Sequence, residues 1–395
     1  MVVGTPFSKR DYERLGVDLF IKKGFDVEVW DCTALVMPFE YHQYVPPDPF
    51  GWENCYKYKS KREFLRAVER LDRRTFAILH ISYNLHCFTI FKEISRKIKY
   101  SVMAFSLPGL ESVSAWSQNR THRYFQYIAR FFTSPTDKYF GKIIKKIFVK
   151  IPHFLLGIKS ANIVLLPASK NFIEYPVDSK SKFVRAHMLD YDNYLKIAGD
   201  SPAIIEKTAI FLDEFAPFHS DYLHRGSPSD INPEEYYSLL CKLFSCLESK
   251  HGFKVVVAAH PKSSYDELPE YYQGRPIIRG KTAELVKDSS LVILHHSLSY
   301  NYAVLFKKPM IFITTSQYQK NFSRGLKEPP TIEWLAAYFR KGVHNLDHFD
   351  GLDMEHEMEV DITRYDEFRD NYIKMDGSEE IPLWEILIKV IEDSD

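Results

Sequence analysis

Three short stretches in the second half of this chain set ionisable and hydroxyl side chains directly behind apolar runs: LDEFAPFHSD after TAIF, HPKSS after VVVAA, and HHSLS after LVIL. In the first, Asp213 or Glu214 could serve as a general base or a nucleophile, and an ordinary acidic loop or helix cap is the plainer reading of the same residues. In the second, Pro261 forces extended backbone on His260 and stops the strand, which fixes the imidazole at a sheet edge. There it can donate to a phosphate or a leaving group, with Lys262 adding a point charge. In the third, Ser297 at the start of a predicted helix combines a hydroxyl with the first-turn N–H groups, an arrangement that suits an anion such as phosphate. A simple N-cap would need only the serine. The histidines before it, His296 included, favour the ligand reading, because apolar residues would serve a cap equally well.

These stretches need elements that bring them to one place. The second half reads as strand TAIFLDE, a helix opened by Asn232, Pro233 and Glu235 and ending near Lys250, strand FKVVVAAHP, short strand PIIRG, helix TAELVKDS, strand LVILHH, helix SLSYNYAVLFKK and strand PMIFITT. The first half alternates in the same way. VVGTP is a strand, Ser8 caps a helix that runs through Lys23 to Gly24, and FDVEVWD is the next strand. After the loop VPPDPFG come a helix over Ser60 to Asp72, strand TFAILHISY, a helix over Phe88 to Lys97, strand YSVMAFSLP and the closing strand ANIVLLPAS. The pattern predicts an α/β protein of two Rossmann-like domains: residues 1–169, a linker over 170–206, and residues 207–345. An acidic segment follows over 346–395, whose final helix is expected to pack back on the first domain. Ligands of open α/β sheets lie at the carboxyl ends of the strands, where the three polar stretches fall.

Composition narrows the classes. A chain of 395 residues with 45% hydrophobic and 15% aromatic content can bury two cores. Lys plus Arg equals Asp plus Glu at 52 each, which gives no reason to expect a nucleic-acid partner. The charge is unevenly spread: residues 120–159 hold nine Lys/Arg against Asp137 alone, and the last 46 residues hold 16 Asp/Glu against four Lys/Arg. Apolar residues recur at helical spacing between the lysines of 139–151, as in a helix with one apolar and one cationic face. Such a face suits an anionic membrane surface, or packing on the first domain. Five scattered cysteines without a CxxC pair argue against structural zinc and a redox dithiol, and fit a reducing cytoplasm. The opening residues meet charge too early for a secretory leader, and no apolar run approaches the ~20 residues a spanning helix needs. A peripheral, cytoplasmic location is therefore expected.

Other motifs are set aside. The DYD at Asp190–Asp192 falls in the connector and reads as a solvated loop. MEHEME at Met354–Glu359 lacks ligand spacing and reads as surface. Gly4 stands without the other glycines of a dinucleotide fingerprint, and no P-loop or G-x-S-x-G elbow is present.

Two alternating halves with His-Pro after one strand, Ser-x-Ser after a later one, and a helix ending before KKPMIFI resemble the GT-B glycosyltransferases. Within that class FLDEF, AAHPK and HHSLS resemble the bacterial transferases that use CMP-activated acidic sugars, the sialyltransferases and Kdo transferases of surface polysaccharide and lipopolysaccharide assembly. The resemblance implies a cleft between the domains, an N-terminal acceptor half and a C-terminal donor half. It implies Asp213 as the catalytic carboxylate with Glu214 as its rival. His260, Pro261 and Lys262 would meet the donor phosphate, and His296, Ser297, Leu298 and Ser299 would hold it. Asn301 stands where many GT-B proteins carry a ribose-binding glutamate, and the acidic motif runs into Phe215 instead of glycine. No resident cofactor or metal is implied. The partners would be a CMP-linked sugar and a glycan or lipid-linked glycan acceptor. A UDP- or GDP-sugar transferase, a sugar-nucleotide epimerase and a non-catalytic assembly protein at the membrane are the alternatives.

Overall fold

The computed structural model describes residues 1–43, 50–106, 108, 148, 151–200, 207–219, 222, 229–325 and 332–393. The chain forms two compact units, Met1–Ala186 with Trp384–Asp395, and His187–Leu383. Each is built on one parallel sheet.

The first unit holds seven strands: β1 (Val2–Val3), β2 (Val29–Asp31), β3 (Cys55–Lys57), β4 (Phe76–His80), β5 (Lys99–Met103), β6 (Ile163–Leu166) and β7 (Lys182–Arg185). Their order is β3-β2-β1-β4-β5-β6-β7. The second unit holds β8 (Thr208–Leu212), β9 (Lys254–Ala259), β10 (Ile277–Arg279), β11 (Leu291–Leu294), β12 (Met310–Thr314) and β13 (Val343–Asn345), in the order β10-β9-β8-β11-β12-β13. In both, three strands are laid down in one direction and the fourth returns beside the first, as in doubly wound nucleotide-binding folds. The two Rossmann-like units expected from the sequence, of the kind that make up GT-B proteins, are present.

In the second sheet the side-chain period of two is visible in the cores. Ala209, Phe211, Val255, Val257, Leu291, Ile293, Ile311 and Ile313 face one apolar layer with Tyr236, Leu240 and Phe244 of the helix Pro233–His251. Ile210, Leu212, Val256, Ala258, Val292, Leu294, Met310 and Phe312 face the other, with Ala303, Val304, Leu335 and Phe368. Burial on both faces is why these strands read as unbroken apolar runs. The helix Pro233–His251 begins as its sequence requires, with the Asn232 side chain accepting the Glu235 N–H at 3.0 Å and proline in the first turn, and it ends at Gly252 in the left-handed region.

Several boundaries differ from the sequence reading. The helix expected from Ser8 through Lys23 is two, Lys9–Arg14 and Val17–Lys22, broken at Gly16 with φ +62°. The 170–206 connector contains β7 and the helix Leu189–Ile197, whose short elements are too brief to show a clear period. DYD is accordingly the first turn of that helix and not a solvated loop. MEHEME is not all surface either: Glu357 is 2% exposed and bonded to the His344 ring at 2.9 Å. The basic stretch 120–159 lies outside the described residues except for Phe148 and 151–159. Among the described residues no helix is long and apolar enough to cross a membrane.

Candidate active site

The order of the second sheet makes the β8/β11 boundary its topological switch point, so loops leaving the carboxyl ends of these two strands diverge to opposite sides and leave space between them. Glu214 joins those two loops. Its Oε1 accepts the backbone N–H of His296 at 2.6 Å, and its Oε2 accepts the Tyr318 hydroxyl at 2.5 Å. Burial pushes the Glu214 carboxyl up to about 7, against the opposing pull of those two donors and with a smaller push from the charge of Asp213. A carboxyl that exchanges its proton near neutrality is suited to general acid–base work.

Asp213 is differently placed. It continues the parity of Ala209 and Phe211 and so points into the layer beneath the helix Pro233–His251, where it is 3% exposed. Its Oδ1 accepts the Phe215 N–H at 2.9 Å and the Tyr272 hydroxyl at 3.0 Å. Its Oδ2 accepts the Tyr265 hydroxyl at 2.9 Å and the His260 N–H at 3.4 Å. Burial raises its pKa, and these bonds oppose the rise. Phe215, next to Glu214, sits in the left-handed region at φ 55°, where a bulky residue is rarely found.

His260 leaves β9 at the same rim. Its Nδ1 accepts the Lys262 N–H at 3.1 Å, a bond that the neutral ring makes only with its proton on Nε2. The His219 ring stands edge-on to it with centroids 4.7 Å apart. Thus Pro261 and Lys262 act on His260 through the backbone turn they form.

The HHSLS turn divides the roles of its residues. His295 follows the parity of Leu291 and Ile293 into the buried layer. Its Nδ1–H donates to the Ile313 carbonyl at 2.7 Å, and its Nε2 accepts the Tyr236 hydroxyl at 2.9 Å. Burial holds its pKa down to about 4, so the ring is neutral. Tyr318 stacks flat on it at 4.4 Å. His296 is the residue bonded to Glu214. The helix expected from Ser297 begins only at Tyr300 and ends at Leu305, so Ser297 belongs to the preceding turn, where its Oγ accepts the Ser299 N–H at 3.4 Å. Leu298 is 51% exposed. Asn301 is buried on the other side of this helix and donates to Asp190 Oδ2 at 3.0 Å. Tyr302 donates to the same carboxylate at 3.4 Å. The structure therefore pairs the adjacent carboxylates Asp213 and Glu214 with the backbone N–H groups of His260 and His296, and engages the Asn301 amide with Asp190 instead.

Sequence reasoning missed Tyr265, Tyr272 and Tyr318, whose hydroxyls hold the two carboxylates. Tyrosines in a chain with 25 of them carry no local signature. The parity of β8 and β11 was the signal available for sorting Asp213 and His295 from Glu214 and His296. Among the described residues no group of three or more His, Cys, Asp and Glu is placed to hold a metal ion. A cavity of about 360 Å³ between Phe339–Lys341 and His356–Asp361 shares no residue with this cluster.

No known protein family and no curated protein matches the chain. Similar solved structures include the wall teichoic acid polymerase TagF, at 12% identity and TM-score 0.49, covering 100% of this chain and 89% of that one. The spinosyn forosaminyltransferase SpnP has 12% identity and TM-score 0.46, covering 99% and 98%. UDP-GlcNAc 2-epimerase from Methanocaldococcus jannaschii has 11% identity and TM-score 0.46, covering 99% and 98%. The strand orders, and not these distant likenesses, carry the fold assignment.

Proposed function

We propose that the chain is a nucleotide-sugar-dependent glycosyltransferase that moves an acidic sugar of the Kdo or sialic-acid kind from a CMP-linked donor to a glycan or lipid-linked glycan acceptor. The observation that carries the reading is the Glu214 carboxylate tied to the His296 N–H at the switch point of the second sheet, with His260 at the neighbouring strand end, its backbone N–H bonded to the adjacent carboxylate of Asp213.

In the proposed reaction an acceptor hydroxyl attacks the anomeric carbon and gives its proton to Glu214. The bond from that carbon to the donor phosphate oxygen breaks, and its electron pair leaves with CMP. The Nε2–H of His260 and the charge of Lys262 stabilise the departing phosphate, with the Ser297–Ser299 turn as a further donor surface. This assigns the acid–base role to Glu214 and an inverting course to the transfer. The basic stretch 120–159 would hold the enzyme at an anionic membrane face, at about 1 kcal/mol per well-placed Lys or Arg.

The departure at Asn301 weakens a UDP-sugar reading of the GT-B resemblance. In the resemblance to GT-B proteins it stands where many carry a ribose-binding glutamate, and its amide is taken up by Asp190. Melting curves with CMP, UDP and GDP test the donor class. A nucleotide at a hundred times its Kd stabilises the native state by about 2.7 kcal/mol. CMP should raise the melting temperature and UDP and GDP should not; a shift with UDP or GDP alone would replace the donor, and no shift with any of them would remove the nucleotide site.

A further inference from the structure

We propose that Asp213 is a positioning residue: its carboxylate, held by the Tyr265 and Tyr272 hydroxyls, clamps the loops after β8 and β9 so that Glu214 and the His260 imidazole keep their places. The inference rests on the reading of Glu214 and His260 as the groups that handle the proton and the leaving phosphate.

The geometry supports it from three sides. First, the four donors to Asp213 come from different segments: Phe215 in the β8 loop, His260 at the end of β9, Tyr265 in the short turn beyond it, and Tyr272 before β10. Each oxygen takes one backbone N–H and one hydroxyl, so neither oxygen is left over for an acceptor sugar in this buried place. Second, the two backbone donors flank the proposed reacting groups. The Phe215 N–H bond stabilises the left-handed residue that immediately follows Glu214, and the His260 N–H bond fixes the backbone from which the imidazole projects. Third, the hydroxyls are crowded together: with the Tyr265 and Tyr272 protons given to Asp213, Tyr237 is left to donate to Tyr265. Tyr265 lies 3.2 Å from Tyr272 and 3.0 Å from Tyr237, oxygen to oxygen, and the rings of Tyr237, Tyr265 and Tyr272 pack edge to face. Interlocked aromatic rings leave the hydroxyls little freedom to follow a displaced carboxylate, which is what a rigid supporting shell requires.

The test reads His260 directly. In protein carrying ¹⁵N-histidine, long-range ¹H–¹⁵N spectra at about pH 8, above the ordinary histidine value, should show the wild-type His260 ring as the single Nε2–H tautomer. Asp213→Asn sets an amide N–H₂ against two donors, and Tyr265→Phe deletes one hydroxyl without touching a charge. In both variants His260 should become a mixture of tautomers. Transfer from a CMP-sialic acid donor should lose roughly ten- to a hundredfold in kcat with little change in KM. The two losses should combine to less than their product, because they act through one network. Tyr265→Phe keeps the test alive if Asp213→Asn does not fold. An unchanged His260 tautomer in both variants overturns the proposal. So does abolition of transfer in Asp213→Asn beside full activity in Tyr265→Phe and Tyr272→Phe, which would make Asp213 the base. If that donor is not turned over at all, the donor reading fails and the tautomer measurement still decides the positioning role.

Discussion

Glu214 and Asp213 are neighbours in sequence with opposite fates, and the difference is a matter of donors. Asp213 meets four, whereas Glu214 meets two in a site that still raises its pKa to about 7. This has a thermodynamic consequence with a definite sign. The ordinary glutamate value is 4.5, so between about 4.5 and 7 the native state holds a proton that the unfolded chain has released. The stability this group contributes is fully present below 4.5 and is lost as pH rises through 7, to an extent of about 3 kcal/mol at most. Asp213 shifts in the same direction, so the comparison must isolate Glu214. Glu214→Gln should melt at a temperature that gains on the wild type as pH rises through that window, and a constant difference would argue against the buried titration. The same variant should lose transfer by roughly a hundredfold or more. In the wild type, kcat/KM should rise with pH around a midpoint near 7, because the deprotonated form is the base.

At the scale of elements, most of what positions the site was legible, because long strands buried on both faces and a fully capped helix announce themselves. The apolar runs of β8, β9, β11 and β12 and the Asn232–Pro233 start are of this kind. Short elements were not legible. Six-residue Tyr300–Leu305 begins three residues later than SLSYNYAVLFKK suggested, since a turn closed by Ser297 looks in sequence like the start of a helix. Leu189–Ile197 falls in the stretch that reads as connector, because its buried residues are Leu189 and Tyr191 and its Asp190 finds Asn301 and Tyr302 across a long stretch of sequence. Gly16 shows the same dependence on distant partners. Its φ of +62° breaks a helix that local propensity would continue, and a Cβ there would lie 2.6 Å from Trp384 Cδ1. Gly16→Ala should therefore cost at least about 2 kcal/mol, the left-handed penalty plus displacement of the indole. Gly24→Ala, with φ +87° and nothing within 4 Å of a Cβ, should cost only the backbone part. Urea midpoints of the two variants compare them directly, and equal losses would mean that the indole yields freely.

For the whole molecule, the chain passes from the first unit to the second at Ala186/His187 and returns at Leu383/Trp384, so the first unit is built from two segments far apart in sequence whereas the second is continuous. The returning helix, Leu383–Glu392, gives the first unit an indole whose Nε1–H donates to the Arg14 carbonyl at 2.6 Å and whose ring lies 6.3 Å from that of Phe20. The adjacent Glu385–Lys23 pair, at 3.0 Å, is partly exposed on both sides and adds little, under about 1 kcal/mol. Apolar burial therefore dominates this attachment. Trp384→Ala should cost about 3–5 kcal/mol, as expected for removing a buried large side chain, whereas Lys23→Ala should be nearly silent. Because Arg14, Gly16 and Phe20 all belong to the first unit, the loss should fall there. Hydrogen exchange of Trp384→Ala should show amides of β1, β2 and β4 losing protection while those of β8, β9 and β11 keep theirs. Equal loss in both sheets would mean that the two units unfold as one, and that the returning helix stabilises the Glu214 site as directly as it does the sheet it packs on.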